Sequence, residues 1–278
     1  MSREFKGTIA DWDFLVVDTE TTGLRITDRP VEIAAVRLSG GETVGSMDSL
    51  VSPGIPIPPG ATEIHGITDA DVADAPSAAE VLPRLAALGA GAIWLAHNSG
   101  YDAGILGMAW LAAGLDAPTE PMLDTCRLAR ATIRGRRSYA LGALGRELGL
   151  AKDGYHRALA DAEVAAGLFL KSVARIGPAG EVRLAEVVRR AGGYISIAGV
   201  VAAAANPPAG FEELQAAIAE GRHARLLYRA GEDGERTLLV NPKVMFRSED
   251  HTYLEAFDLE GRYLKSDRLD RVASFEVL

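Results

Sequence analysis

Apolar and polar positions change their period several times along the chain. Phe14 to Glu20 predicts a buried strand, Val31 to Leu38 a second and Thr43 to Val51 a third, with Ser39-Gly40-Gly41 as a turn between strands. Four prolines, Pro53, Pro56, Pro58 and Pro59, interrupt the pattern before Ser77-Ala78-Ala79-Glu80, a capping box that starts a helix. Ala92 to Ala96 supplies another strand, and helices are predicted over Tyr101 to Ala113, Ala140 to Leu148 and Arg157 to Ile176. Strands followed by interleaved helices predict an α/β layer fold. Gly177-Pro178-Ala179-Gly180 ends the last helix, and Asn206-Pro207-Pro208-Ala209-Gly210 marks a domain boundary. Beyond it, Phe211 to Gly221 predicts a helix. Short β-like runs follow, with turns at Gly231-Glu232-Asp233-Gly234, Ser248-Glu249-Asp250 and Asp258-Leu259-Glu260-Gly261, and together they predict a small β-barrel.

A chain of 278 residues has room for one large and one small domain. Its longest apolar stretch, Ile195 to Ala205, falls far short of the ~20 residues of a membrane span. Met1 to Asp11 has no signal-peptide pattern, so a cytoplasmic location without membrane partners is expected. Cys126 is the single cysteine, which excludes an intrachain disulfide and a thiolate metal cluster. Any metal must therefore sit on oxygen or imidazole. The net charge of −9 disfavours tight coating of duplex nucleic acid. It does not exclude a phosphodiester substrate, because carboxylates gathered to hold divalent cations are offset by those cations.

Asp18 and Glu20 are two residues apart in a strand and so share a face. Carboxylates crowded at the end of an apolar strand need a compensating cation or a raised pKa; an exposed strand end rich in capping residues is the other reading. Asp102 follows the strand Ala92 to Ala96 in a first helical turn, where it fits either a site or a simple partner of the helix dipole. Asp161 lies in the last helix, five residues after His156. By itself a histidine near a helix start is more often a satisfied structural residue than a catalyst.

Taken in order, these residues and their flanks resemble the DEDDh (DnaQ-like) exonuclease family over roughly Asp13 to Arg175. The matching blocks are Asp18-Thr19-Glu20-Thr21-Thr22-Gly23, Val31-Glu32-Ile33-Ala34, Ile64-His65-Gly66-Ile67-Thr68, His97-Asn98-Ser99-Gly100-Tyr101-Asp102, Asp124-Thr125 and His156-Arg157-Ala158-Leu159-Ala160-Asp161-Ala162. Tyr101 stands where the family commonly has phenylalanine. The resemblance implies a ribonuclease H-like fold, a mixed sheet flanked by helices. It also implies two Mg²⁺ or Mn²⁺ ions, about 3.5 to 4 Å apart, on Asp18, Glu20, Asp102 and Asp161, with His156 as general base.

The implied activity is 3′→5′ hydrolysis of single-stranded DNA or RNA from its 3′ end, releasing nucleoside 5′-monophosphates. Thr21, Gly23, Ile64, His65 and Asn98 then belong with the terminal nucleotide, Ile64 as an apolar wedge against a base. For His65 a turn-stabilising hydrogen bond is an equal alternative. Arg134, Arg136 and Arg137, with Arg127 and Arg130, form a basic run that either tracks the substrate backbone or is a solvated helix face.

Leu226-Leu227-Tyr228, Val240-Asn241-Pro242, Thr252-Tyr253-Leu254 and Arg268-Leu269-Asp270-Arg271-Val272 resemble a WYL domain, a small Sm-like or SH3-like barrel. Thr252 replaces the expected tryptophan, and Asp267 an aromatic. Such domains bind nucleic acid or nucleotide-like ligands; a stabilising or oligomerising appendage, with Arg268 and Arg271 paired to nearby acids, is the other reading. The expected division is an exonuclease domain at 1–177, a helical linker at 178–210 and a WYL-like barrel at 211–278. A non-catalytic nucleic-acid or nucleotide-binding regulator on the same fold is the functional alternative. DNA against RNA, polymerase association and oligomeric state, a homodimer included, stay open.

Overall fold

The computed structural model describes residues 5–150, 156–229, 234–248 and 251–278, which divide into two compact units, Met1–Ala198 and Gly199–Leu278. In the first unit β1 (Phe14–Thr21), β2 (Pro30–Ser39) and β3 (Glu42–Leu50) form an antiparallel meander, followed by α1 (Pro59–His65) and α2 (Ala78–Gly89). Then β4 (Ile93–Ala96) leads into α3 (Ser99–Ala113), and β5 (Met122–Asp124) into α4 (Thr125–Thr132). Next come α5 (Leu141–Glu147), α6 (Ala158–Ala174) and α7 (Leu184–Arg190). The capping box of α2 forms as expected: Ser77 donates its backbone N–H and its hydroxyl to Glu80 at 2.8 and 2.7 Å.

The strand order is β3-β2-β1-β4-β5, with β1 antiparallel to β2 and parallel to β4. This is the mixed sheet flanked by helices that was expected. The two-residue period of β1 sends Phe14 and Val16 to one face, where they join Val36, Leu38, Ile93 and Leu95 against Ala162, Ala165, Phe169 and Val173 of α6. Leu15 is buried too, as is Trp94, whose ring lies 6.4 Å from that of Trp110 on α3. Gly89 makes room for this packing. A Cβ there would fall 2.5 Å from Trp94 Cζ2, and its carbonyl accepts the Trp94 indole N–H at 3.1 Å.

The stretch expected as a helical linker, 178–210, is not one piece. Val182, Leu184, Val187 and Val188 enter the core of the first unit, and Ile195 exchanges backbone hydrogen bonds with Met122 of β5 at 2.7 and 3.0 Å. The apolar residues of α7 need a partner, and the open flank of the first unit supplies one. A helix α8 (Ile197–Ala205) follows.

In the second unit α9 (Glu212–Glu220) precedes β6 (Ala224–Arg229), β7 (Glu235–Ser248), β8 (His251–Asp258), β9 (Tyr263–Arg268) and β10 (Val272–Val277). They form one antiparallel sheet in the order β10-β6-β7-β8-β9. The expected Sm-like or SH3-like barrel is not closed: among the described residues its end strands β9 and β10 do not pair. Leu214 of α9 instead packs with Ala224, Leu226, Val240, Met245 and Leu254, and Ile218 lies against them, so a helix covers the apolar residues that closure would enclose. Of the expected turns, Gly231 to Asp233 and Glu249 to Asp250 lie outside the described residues. At the third, Asp258 accepts the backbone N–H groups of Glu260 and Gly261 at 3.0 and 2.9 Å. Arg268 pairs with Asp270, as the structural reading of that arginine expects. Among the described residues no helix is long and apolar enough to cross a membrane.

Candidate active site

The first unit gathers its acids where the parallel pairing of β1 with β4 stops at Val16 and Leu95 and β1 runs on to Thr21, at the end of the parallel strands where open α/β sheets leave a crevice. Asp18 and Glu20 lie on one face of β1, while Thr19 and Thr21 take the other. Asp161 comes from the first turn of α6. One carboxylate oxygen each from Asp18, Glu20 and Asp161 lie within 4.8 Å of one another. A divalent cation bound to oxygens at about 2.1 to 2.6 Å fits between acids so spaced.

Asp102 enters from the first turn of α3 and is 3% exposed. Its Oδ1 accepts the Thr19 hydroxyl at 3.0 Å, so the residue between the two strand acids fixes the third. Asp124, at the end of β5, ties the neighbouring turns together. Its carboxylate accepts the backbone N–H groups of Ser99 at 3.2 Å, Cys126 at 2.8 Å and Arg127 at 3.0 Å, binding the starts of α3 and α4 to one point. Asn98 precedes α3 with a left-handed φ of 73° and donates its backbone N–H toward Asp124 at 3.4 Å.

Burial and mutual repulsion raise the pKa of these acids. Asp18 is pushed well above the carboxylate range by burial first, then by Asp102, Asp161 and Glu20. Glu20 rises to about 7, again through burial first, with Asp161, Glu32 and Asp102 adding and Arg157 opposing. Asp102 rises to about 7 through burial, against the Thr19 hydrogen bond. Asp161 is raised by burial and drawn back by His156. Among the described residues none of the four has an ion-pair partner. Oxygen donors in this state suit a hard divalent cation, which supplies the missing charge.

His156 lies at the mouth of α6 with a φ of 63° and an exposed ring, and its backbone N–H bonds the Asp161 carboxylate. The structure thus brings together His156, Asp18, Glu20, Asp102 and Asp161. Thr21 and Gly23 stand beside them: the Thr21 hydroxyl is 2.6 Å from the Tyr101 hydroxyl, which donates to the Gly23 carbonyl at 2.6 Å. A Cβ at Gly23 would fall 2.5 Å from Asp28 Oδ2, so glycine lets this loop fold onto its own aspartate.

His65 takes the turn-stabilising role. Its Nδ1 accepts the Ile67 backbone N–H at 3.0 Å and its Nε2 lies 3.3 Å from the Thr21 carbonyl, while burial lowers its pKa. Ile64 beside it is 51% exposed. Arg134 and Arg137 are exposed on the connection from α4 to α5, whereas Arg136 turns to Glu147 in an ion pair.

Sequence reasoning gave no role to Glu32, Thr19 or Leu24. Glu32 is 1% exposed and carries both Arg157 and the backbone N–H of Ala158. Its signal was visible, a lone acid inside an apolar strand. Leu24, 83% exposed next to Gly23, left no such trace.

The family profile described as Exonuclease matches residues 15–169, and that of the WYL domain residues 209–277. A DNA polymerase III subunit epsilon-like protein of Rhodobacter capsulatus is 41% identical over 164 residues, 57% of this chain and 23% of its own. This chain spans less than a third of the length of the curated relatives it matches first. Exonuclease X, solved in complex with 5′ overhanging duplex DNA, is 31% identical with a TM-score of 0.51, over 63% of this chain and 98% of that one. Exonuclease I of E. coli, solved with a dA16 oligonucleotide, shares the fold at 18% identity and a TM-score of 0.53, over 89% of this chain and 55% of its own.

Proposed function

The chain belongs to the exonuclease family, and from that premise we propose that it removes nucleotides from the 3′ ends of single-stranded DNA or RNA by metal-dependent hydrolysis. The observation that carries the reading is the convergence of one carboxylate oxygen each from Asp18, Glu20 and Asp161 within 4.8 Å. Asp18, Glu20, Asp102 and Asp161 would hold Mg²⁺ or Mn²⁺. Two such ions, when bound, activate water and offset the charge that develops on the phosphoryl oxygens.

The rest is the work of the chain itself. His156, exposed at the start of α6, would take the proton of the attacking water, a role supported by the bond from its backbone to Asp161. Leu24, three residues after Thr21, and Ile64, next to the His65 whose Nε2 lies 3.3 Å from the Thr21 carbonyl, are both exposed, which supports an apolar seat for the terminal base. In the second unit the stacked rings of Phe246 and Tyr253, 5.5 Å apart, support a nucleic-acid or nucleotide-like ligand.

The test is a 5′-labelled oligonucleotide incubated with the full chain. Stepwise shortening with Mg²⁺ or Mn²⁺, none with chelator, and a loss of about 10²- to 10⁴-fold in kcat for His156→Ala are the expected outcomes. Binding without metal-dependent turnover would establish a regulator in place of an enzyme. Matched DNA and RNA substrates decide the sugar.

A further inference from the structure

Glu32 is a buried acid that the three-acid cluster does not use. It sits on β2 directly opposite Glu20 of β1. Its Oε2 accepts the backbone N–H of Ala158, the first residue of α6, at 2.8 Å. Both of its oxygens accept Arg157 Nε, at 2.9 and 3.1 Å, and Oε1 also accepts Nη2. A strand carboxylate therefore caps the helix that carries Asp161, and a guanidinium fork locks the cap. One turn on, the Asp161 backbone N–H donates to the Arg157 carbonyl at 3.0 Å, while His156 directly precedes the clamp. The residues on both sides of the reacting position thus hang from one ion pair.

Resting on the nuclease reading above, we propose that Glu32 and Arg157 are a positioning pair for the metal site. They set the depth at which α6 presents Asp161 to Asp18 and Glu20. Arg157 also occupies the Glu32 carboxylate, which otherwise stands next to Glu20 as a competing ligand. A cap made by a side chain of α6 itself would leave the helix free to slide along the sheet. A cap that reaches from β2 does not, because β2 is registered residue by residue against the strand that bears the other two ligands.

The experiment uses the full chain with Arg157→Ala, Arg157→Lys and Glu32→Gln. Mn²⁺ binding is read by calorimetry without nucleic acid, then kcat and KM on a labelled oligonucleotide, then melting in chelator. Arg157 is half exposed, so its replacement leaves no cavity. Arg157→Ala is expected to weaken Mn²⁺ binding and lower kcat by about 10- to 100-fold with KM little changed, the range of a lost partner behind a metal ligand. Arg157→Lys keeps the charge without the fork and falls between. Should Glu32→Gln not fold, the two arginine variants decide.

Mn²⁺ affinity and kcat equal to wild type in folded variants, or a loss confined to melting temperature, overturn the pair. Wild-type protein that binds Mn²⁺ but cuts nothing overturns the nuclease reading instead, and calorimetry still judges the clamp. Absent Mn²⁺ binding by wild type overturns both.

Discussion

In the second unit Lys265 Nζ stands 2.9 Å from Asp258 and 3.5 Å from Asp267, and all three side chains are nearly buried. In the first unit Asp18, Glu20 and Asp161 crowd together with no ammonium or guanidinium paired to them among the described residues. The consequences are opposite. Asp258 has its pKa held down, by the Gly261 backbone N–H first and then by Lys265, whereas Asp18 is pushed well up. Acids buried with their own cation complete a fold, while acids buried without one leave a charge for something else to fill. Asp267 was noticed only as a departure from a motif, and it proves to be half of that internal neutralisation.

The largest effect that would sharpen this contrast is on catalysis. Asp18→Asn and Asp161→Asn should abolish metal-dependent shortening of an oligonucleotide. In chelator at neutral pH both should melt no lower than wild type, because each relieves repulsion. Melting curves and a nuclease assay on the same preparations check both halves. Next in size, Lys265→Met should cost the second unit about 3 kcal/mol by leaving two buried carboxylates without their cation. Cleavage should persist at temperatures where that variant is folded, and a denaturant titration measures the loss.

Acidification should separate the units by sign. Glu20 has its folded pKa at about 7 against an ordinary 4.5, so it stabilises fully below 4.5 and its contribution is lost as pH rises through 7. Without metal, the first unit should therefore melt lower as pH climbs from about 4.5 to 7, with Asp102 acting in the same direction. Asp258, its folded pKa lowered, contributes above 3.8 and loses that contribution only in stronger acid. Melting in chelator across this range is the check, and a first unit that gains stability toward pH 7 would contradict the repulsion. The smallest effect is expected at the exposed pair Arg225 and Glu276 on β6 and β10. Arg225→Ala should shift stability by less than about 1 kcal/mol, measured by the same titration.

Much of the first unit was legible because its signals are local. The apolar run that opens Phe14 to Glu20, the Ser77 and Glu80 box and the apolar face of Arg157 to Ile176 each predict an element that the structure places within a residue or two. Strand period alone puts Asp18 and Glu20 on one face. What stayed hidden depends on distant partners. The strand Met122–Asp124 is too short to show a period, and it exists by pairing with β4 and with Ile195. The stretch after Gly177 reads as a break, yet Leu184 and Val187 belong to the core. The ion pair of Glu32 with Arg157 spans 125 positions, and no spacing rule reaches that far.

The most direct test follows a 5′-labelled single-stranded oligonucleotide cut by the full chain as Mn²⁺ is raised from zero, with Asp161→Asn beside it. The account predicts a ladder that shortens from the 3′ end only when Mn²⁺ is present and only with the unaltered chain. Equal shortening by Asp161→Asn, or cutting that persists in chelator, would contradict it.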